Sequence, residues 1–229
     1  EPAQRRFERE IRLLQSLDHP NIVSIWQSGT WRGIPYLVTE FSEGDNLAVR
    51  VHRHGPLELS DALRCALQVA RGLRYAHGKS IIHRDLTPAN LLLDCDDVVR
   101  IIDLGLAKAL GGDAADSTGV LDRNLTPRGA VAGTRPYMSP EQLEGLSNAD
   151  ARSDIYSLGA TLCFLLTGTA RGKGQLLAKP RAAAGRDDEQ FPESVRCILR
   201  KMLAEKPQDR YQTMDEVVST MAEIQKSLK

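Results

Sequence analysis

Apolar positions along the chain follow two periods. Phe7, Ile11, Leu14 and Leu17 repeat every three to four residues, which predicts a helix from Pro2 to Leu17 with the proline in its first turn. Asp18-His19-Pro20-Asn21 ends it, because the residue before a proline avoids the helical region. Ile22–Gln27 and Ile34–Phe41 are strand-like, separated by the turn signals Ser28-Gly29-Thr30 and Arg32-Gly33. Glu43-Gly44-Asp45 is a turn, and a short amphipathic piece then runs to His54 before Gly55-Pro56. Leu59–His77 is a helix with Leu59, Ala62, Leu63, Ala66, Ala70, Leu73 and His77 on one face. Leu91–Leu93 and Val98–Ile102 read as short buried strands. Ile155–Leu166 is apolar all round, hence a buried helix too short to span a bilayer. Asp154, at its start, reads by itself as an N-terminal cap. Val195–Leu203 is helical, Lys206–Tyr211 turns, and Thr213 and Glu216 have capping-box spacing before a last helix. Ala107–Ala132, rich in Gly, Ser, Asp and Thr, reads as a long loop, and a loop this long inside a domain is usually functional or mobile; Thr169–Gln190 is Gly-, Lys-, Arg- and Ala-rich with little periodicity.

With 229 residues the chain has enough length for one large domain or two small lobes. Lys plus Arg (30) balances Asp plus Glu (30), so no global field draws it to nucleic acid or an acidic membrane. Cys65, Cys95, Cys163 and Cys197 show no Cys-x-x-Cys pair and read as small apolar residues of a reducing, cytoplasmic compartment. No signal peptide or membrane segment is present. The chain begins with Glu1, as a piece of a longer protein would, and a membrane anchor elsewhere in that protein stays open.

The most informative stretch is Ile81 to Gly105. It holds His83-Arg84-Asp85-Leu86-Thr87-Pro88-Ala89-Asn90 between apolar runs, then Asp103-Leu104-Gly105. Asp85, Asn90 and Asp103 carry oxygens that could share metal ions and a hydroxyl nucleophile. A lone His-Arg-Asp is most simply a polar turn. The whole set, in this order and spacing, matches the His-Arg-Asp-Leu-x-x-x-Asn and Asp-Phe-Gly elements of protein kinases. Over nearly its whole length the chain resembles a bacterial-type serine/threonine protein kinase domain, truncated at its N-terminus.

That resemblance implies an α+β, bilobal fold. Residues 1–42 would form an incomplete small lobe (helix C, the fourth and fifth strands, and the hinge), and residues 43–229 a mainly helical large lobe. The catalytic loop would span 83–90 and the activation segment 103–141. The turn His19-Pro20-Asn21-Ile22-Val23 follows helix C in relatives, which places Glu10 opposite the third-strand lysine; by composition alone Glu10 is one more solvated charge. Thr39 would be a small gatekeeper, Glu40 and Ser42 hinge residues acting on adenine through their main chain, and Leu92 the floor beneath it. Asp103 and Asn90 would hold Mg2+ on ATP, and Asp85 would accept or orient the proton of the attacking hydroxyl. His83 would be structural, bracing the loop of Asp103, and Leu14, His83 and Leu104 would belong to an apolar column between lobes. Ser117, Thr118 and Thr126 are candidate phosphorylation sites with Arg84 as a phosphate partner, although any one of them alone is most simply an ordinary loop hydroxyl. Thr134, in Gly133–Glu141, would lie near the catalytic Asp. Asp154 would hold the catalytic-loop backbone, and Glu141 and Arg210 would form a buried ion pair.

Two departures matter. No Gly-x-Gly-x-x-Gly loop or Val-Ala-Ile-Lys strand precedes Glu10, so apolar strand faces would be left uncovered and this piece is expected to bind ATP weakly and turn over little. Thr87 replaces the lysine usual two residues after the catalytic Asp, removing a positive charge from the γ-phosphate. Leu104 for Phe is a mild apolar swap. Thr169–Gln190 looks shortened relative to the family's docking helix. The implied activity is transfer of the ATP γ-phosphate to protein Ser/Thr hydroxyls. The alternatives are a pseudokinase or interaction module and, more weakly, a small-molecule kinase. The expected partner is a protein substrate and not nucleic acid, with oligomeric state open.

Overall fold

A computed structural model describes residues 11–32, 34–104, 135–145, 148–170 and 191–228. Residues 11–15 are helical and bury Ile11 and Leu14, with Leu17 just beyond. The rest of the predicted first helix, Glu10 included, lies outside the described residues.

Strands β1 (Ile25–Trp31) and β2 (Ile34–Thr39) form an antiparallel pair, with Gln27 opposite Val38 and Gly29 opposite Tyr36. This corrects the expected boundaries. Ser28-Gly29-Thr30 is strand, not turn, and β2 stops at Thr39 rather than Phe41. Gly29 is there to admit the Tyr36 ring: a Cβ on Gly29 would stand 2.4 Å from the tyrosine hydroxyl. The reversal starts at Arg32, whose φ is 49°. Ile22, expected to begin the strand, precedes β1 and makes an isolated parallel bridge with Ile101. Trp26, Trp31, Tyr36 and Val38 are exposed, so the two-stranded sheet keeps uncovered apolar side chains, as the sequence implied.

The second sheet is antiparallel, ordered β3 (Asp45–Asn46), β4 (Leu91–Leu93), β5 (Val99–Ile101). Helix α1 (Leu47–His54) starts at Asn46, whose side chain accepts the Val49 N–H at 2.9 Å, and stops at Gly55, whose φ of 80° suits a residue without Cβ. Helix α2 (Leu59–Gly78) packs on α4 (Ala151–Thr167) and α6 (Met214–Ser227), while α5 (Glu193–Met202) packs on α4 and α6. A short helix, α3 (Pro140–Glu144), precedes α4 in the chain. Every residue of α4 from Ser153 to Leu166 is buried, which is why its sequence shows no polar stripe. Burying each of its leucines contributes roughly 1.5–3 kcal/mol. The result is an α+β arrangement, with two strands opening it, a second small sheet formed around the first two numbered helices, and helices from residue 140 onward. No helix among the described residues is long and apolar enough to cross a membrane.

Candidate active site

The polar segment after α2 is held from beneath by one carboxylate. Asp154 is fully buried and accepts the main-chain N–H groups of His83 and Arg84, each at 2.9 Å; His77 Nε2 lies 2.8 Å from Oδ2. Burial pushes the Asp154 pKa up, but the His77 hydrogen bond and the other partners outweigh it and hold it below the usual carboxylate value. Its reading as a cap is corrected. The cap is Asp150, which accepts the Arg152 N–H at 2.8 Å, and Asp154 lies one turn inside the helix. Ala151-Arg152-Ser153 carries no apolar periodicity, so the earlier start was invisible in the hydrophobic pattern.

The loop's geometry is unusual and over-determined. Arg84 has φ 68° and Asp103 φ 58°, left-handed values uncommon for non-glycine residues, less so for aspartate than for arginine. His83, 1% exposed, receives the Asp85 N–H on Nδ1 at 3.3 Å. Asn90 donates from Nδ2 to the Asp85 carbonyl at 2.9 Å, and its own carbonyl accepts the Ile102 N–H at 3.0 Å. Asp85, Asn90 and the residue before Asp103 are thus joined in series. Thr87, mostly buried, accepts the Asn90 N–H on its carbonyl at 3.0 Å. Gln142, to which the sequence assigned no role, donates to the Arg84 carbonyl at 2.6 Å while its Oε1 accepts from Ser139 N and Oγ. The Ser139-x-x-Gln142 spacing of a capping box was the available signal.

A cleft of about 540 Å³ lies between β1–β2 and the second sheet. Thr39, Glu40, Ser42, Leu92 and Asp103 line it, with Leu14 and Leu104 at the side of the first helix. Its volume and mostly apolar wall suit a small organic ligand. Asp85, Thr87 and Asn90 are not among its lining residues; they adjoin it through the Asn90–Ile102 bond. The Glu40 N–H is committed to the Ser24 carbonyl at 2.9 Å, so toward the cleft that residue can offer its carbonyl. Asp103 is solvent-exposed, yet apolar surroundings raise its carboxyl pKa while nearby His83 pulls it down. A cation at the carboxylate would reverse that shift.

No group of three His, Cys, Asp or Glu side chains that could hold a metal occurs among the described residues. Asp103 supplies one carboxylate, and Asn90, with Nδ2 engaged by Asp85, presents an amide oxygen. That sparse oxygen set fits a hard ion that keeps waters and takes further ligands from phosphate.

Farther away, Arg210, 2% exposed, meets Glu141 through Nη1 at 2.7 Å and Nη2 at 2.8 Å, and donates to the carbonyls of Arg152, Ala204 and Glu205. Burial raises the Glu141 pKa, but Arg210 and Ser153 outweigh it and bring it down to about 2. Ser117, Thr118, Thr126 and Thr134 lie outside the described residues, as does the stretch 171–190 where a shortened docking region was expected.

Comparison with known proteins matches residues 1–221 to the family described as protein kinase domain. Serine/threonine-protein kinase PknB of Mycobacterium leprae is 35% identical over 232 residues, covering 96% of this chain and 36% of that protein. Serine/threonine-protein kinase PrkC of Bacillus subtilis is 36% identical over 221 residues, covering 93% of this chain and 32% of that protein. The chain therefore spans about a third of the length of these relatives. Among solved structures, Rad53 residues 1–466 in complex with AMP-PNP aligns with a TM-score of 0.69 at 24% identity, covering 94% of this chain and 54% of that one.

Proposed function

The chain belongs to the protein kinase family, and from that membership we propose that it transfers the γ-phosphate of ATP to serine or threonine hydroxyls of a protein. The observation that carries the reading is the hydrogen-bonded series from Asp85 through Asn90 to the residue before Asp103, set beside a cleft of nucleotide size. Phosphoryl transfer asks a protein mainly for positioning and for charge to balance the phosphates.

In this reading Glu40 and Ser42 bind adenine through main-chain groups, Thr39 shapes the rear of the cleft and Leu92 forms its floor. Asp103 and Asn90 would hold Mg2+, which when bound neutralises phosphate charge. Asp85 orients the incoming hydroxyl and takes its proton, at an angle set by His83 and by the Asp154 clamp on the loop. Glu10 as partner of a lysine, and Ser117, Thr118, Thr126 and Thr134 as sites on an activation segment, belong to the same reading, with Arg84 as phosphate partner. So do the division at residue 42, a protein substrate and a cytoplasmic place.

Thr87 favours a second reading, a binding module built on the kinase shell, because a neutral hydroxyl stands where a cation usually faces the γ-phosphate. Magnesium-dependent transfer from ATP to a serine- and threonine-containing protein, measured beside Asp85→Asn, separates the two. In a longer version of the protein, transfer abolished by Asp85→Asn is expected; nucleotide binding without transfer in that longer version supports the binding module instead.

A further inference from the structure

The strand that leads to Asp103 carries a charged side chain with no part in the chemistry so far. Arg100 is paired with Leu92 across β4 and β5, and opposed residues of an antiparallel ladder share a face. Arg100 therefore leaves the sheet beside the leucine that lines the cleft. Its guanidinium meets acceptors from two separate parts of the chain. Nη1 pairs with the Asp94 carboxylate in the turn between β4 and β5. The same nitrogen donates to Ser42 Oγ at 3.4 Å, and Nε stands 3.6 Å from Glu40 Oε1.

One end of this clamp is rigid. Asp94 Oδ1 accepts the N–H groups of Asp96 and Val98 at 3.0 and 2.8 Å, so the carboxylate is part of the hairpin turn itself. The other end needs holding. From Glu40 to Gly44 the chain has no regular structure, and Phe41 is 87% exposed, so packing does little to locate it. The Glu40 N–H to Ser24 carbonyl bond ties the segment to the small sheet, and Arg100 ties it to the large one.

We propose that Arg100 is a positioning residue that sets the Glu40–Ser42 main chain at the rim of the cleft, and thereby its affinity and selectivity for adenine. The inference rests on the nucleotide-binding reading above. Main-chain hydrogen bonds weaken steeply with distance and angle, so a displaced rim loses adenine contacts first. Guanine presents the opposite donor and acceptor pattern on the corresponding edge and gains little from a well-placed rim. Because Arg100 and Glu40 are 27% and 29% exposed, the ion pair contributes little to stability and its effect is mainly geometric.

The test is titration of the chain with ADP and with GDP, followed by calorimetry, for wild type, Arg100→Met and Arg100→Lys. Arg100→Met should weaken ADP on the order of fivefold, leave weak GDP binding unchanged and leave the unfolding midpoint nearly unmoved. Arg100→Lys, charged but without the fork, should recover part of the loss. Equal ADP affinity in Arg100→Met and wild type overturns the proposal, as does an equal loss for both nucleotides alongside a lowered unfolding midpoint. Should Arg100→Met not fold, Arg100→Lys decides: intermediate selectivity supports the clamp, and wild-type selectivity overturns it. Because weak binding is expected of this chain, the titration runs to millimolar nucleotide; a wild-type chain that binds neither nucleotide there overturns the nucleotide-binding reading on which the clamp rests.

Discussion

His83 donates its main-chain N–H to the carboxylate of Asp154 at 2.9 Å, across 71 positions of sequence. The next residue, Arg84, donates to the other oxygen of the same carboxylate. Two successive amides pointing at one buried anion force the backbone turn that has Arg84 at φ 68°, and Asp85 follows directly from it.

Asp154→Asn should therefore damage turnover more than binding. An amide keeps one acceptor and turns an NH2 group toward a donor. We expect kcat to fall by about a hundredfold, the scale of a small misplacement of a reacting group, with ADP affinity little changed because the cleft lining comes from other elements. Phosphate-transfer rates and ADP titration on the same preparation check this; an unaltered kcat would show that the loop holds its shape without the carboxylate.

Glu141 and Arg210 set an acid limit on stability. The Glu141 pKa in the folded protein is about 2, below its ordinary value of 4.5. A depressed carboxyl pKa contributes stability that is fully present above the ordinary value and is lost as pH falls toward the folded one. Glu141→Gln should cost about 3–5 kcal/mol at pH 7, because Arg210 stays buried without its counter-charge. The gap between variant and wild type should narrow as pH falls from about 5 toward 2. Urea unfolding at several pH values measures it; a gap independent of pH would refute the assignment.

The strand before Asp103 is located by two residues of α2. Gln68 Oε1 accepts from Val99 N and Asn21 Nδ2, both at 3.0 Å. Gly72 lies so close that a Cβ would stand 2.9 Å from Ile101 Cδ1 and 3.1 Å from the Asn21 carbonyl. Gly72→Ala should destabilise by about 1–3 kcal/mol. Gln68→Leu should speed amide exchange at Val99 by about tenfold, the equivalent of one lost hydrogen bond. Thermal unfolding and hydrogen exchange provide the readings.

In a full-length version of the protein, Thr87→Lys should raise the transfer rate, by up to about a hundredfold, if the missing cation at this position limits turnover. A lysine stem can leave the mostly buried site of Thr87 while its ammonium reaches the phosphates. Steady-state kinetics decides, and an unchanged rate would mean that charge at this position does not limit transfer.

Much of the fold was readable before any coordinates. Helix α2 and the buried helix α4 follow from apolar period and from the lack of any polar stripe, and the Asp85, Asn90, Asp103 set follows from fixed spacing within one short stretch. These are local signals, because neighbours in sequence are neighbours in space along a helix or a turn. Boundaries were less legible: Gly29 read as a turn although it only makes room for a ring on the facing strand, and the start of α4 lay hidden behind Ala151-Arg152-Ser153.

The amino-acid sequence by itself determined the element types, the family and the residues with the right chemistry for phosphoryl transfer. Tertiary structure alone decided that the cap of the buried helix is Asp150 and not Asp154, that Gln142 and Gln68 brace main chain far away in sequence, and that Arg100 reaches Glu40 and Ser42. The reason is physical. A single polar side chain carries no period, and which distant donor or acceptor it meets depends on how the apolar faces bring separate segments together.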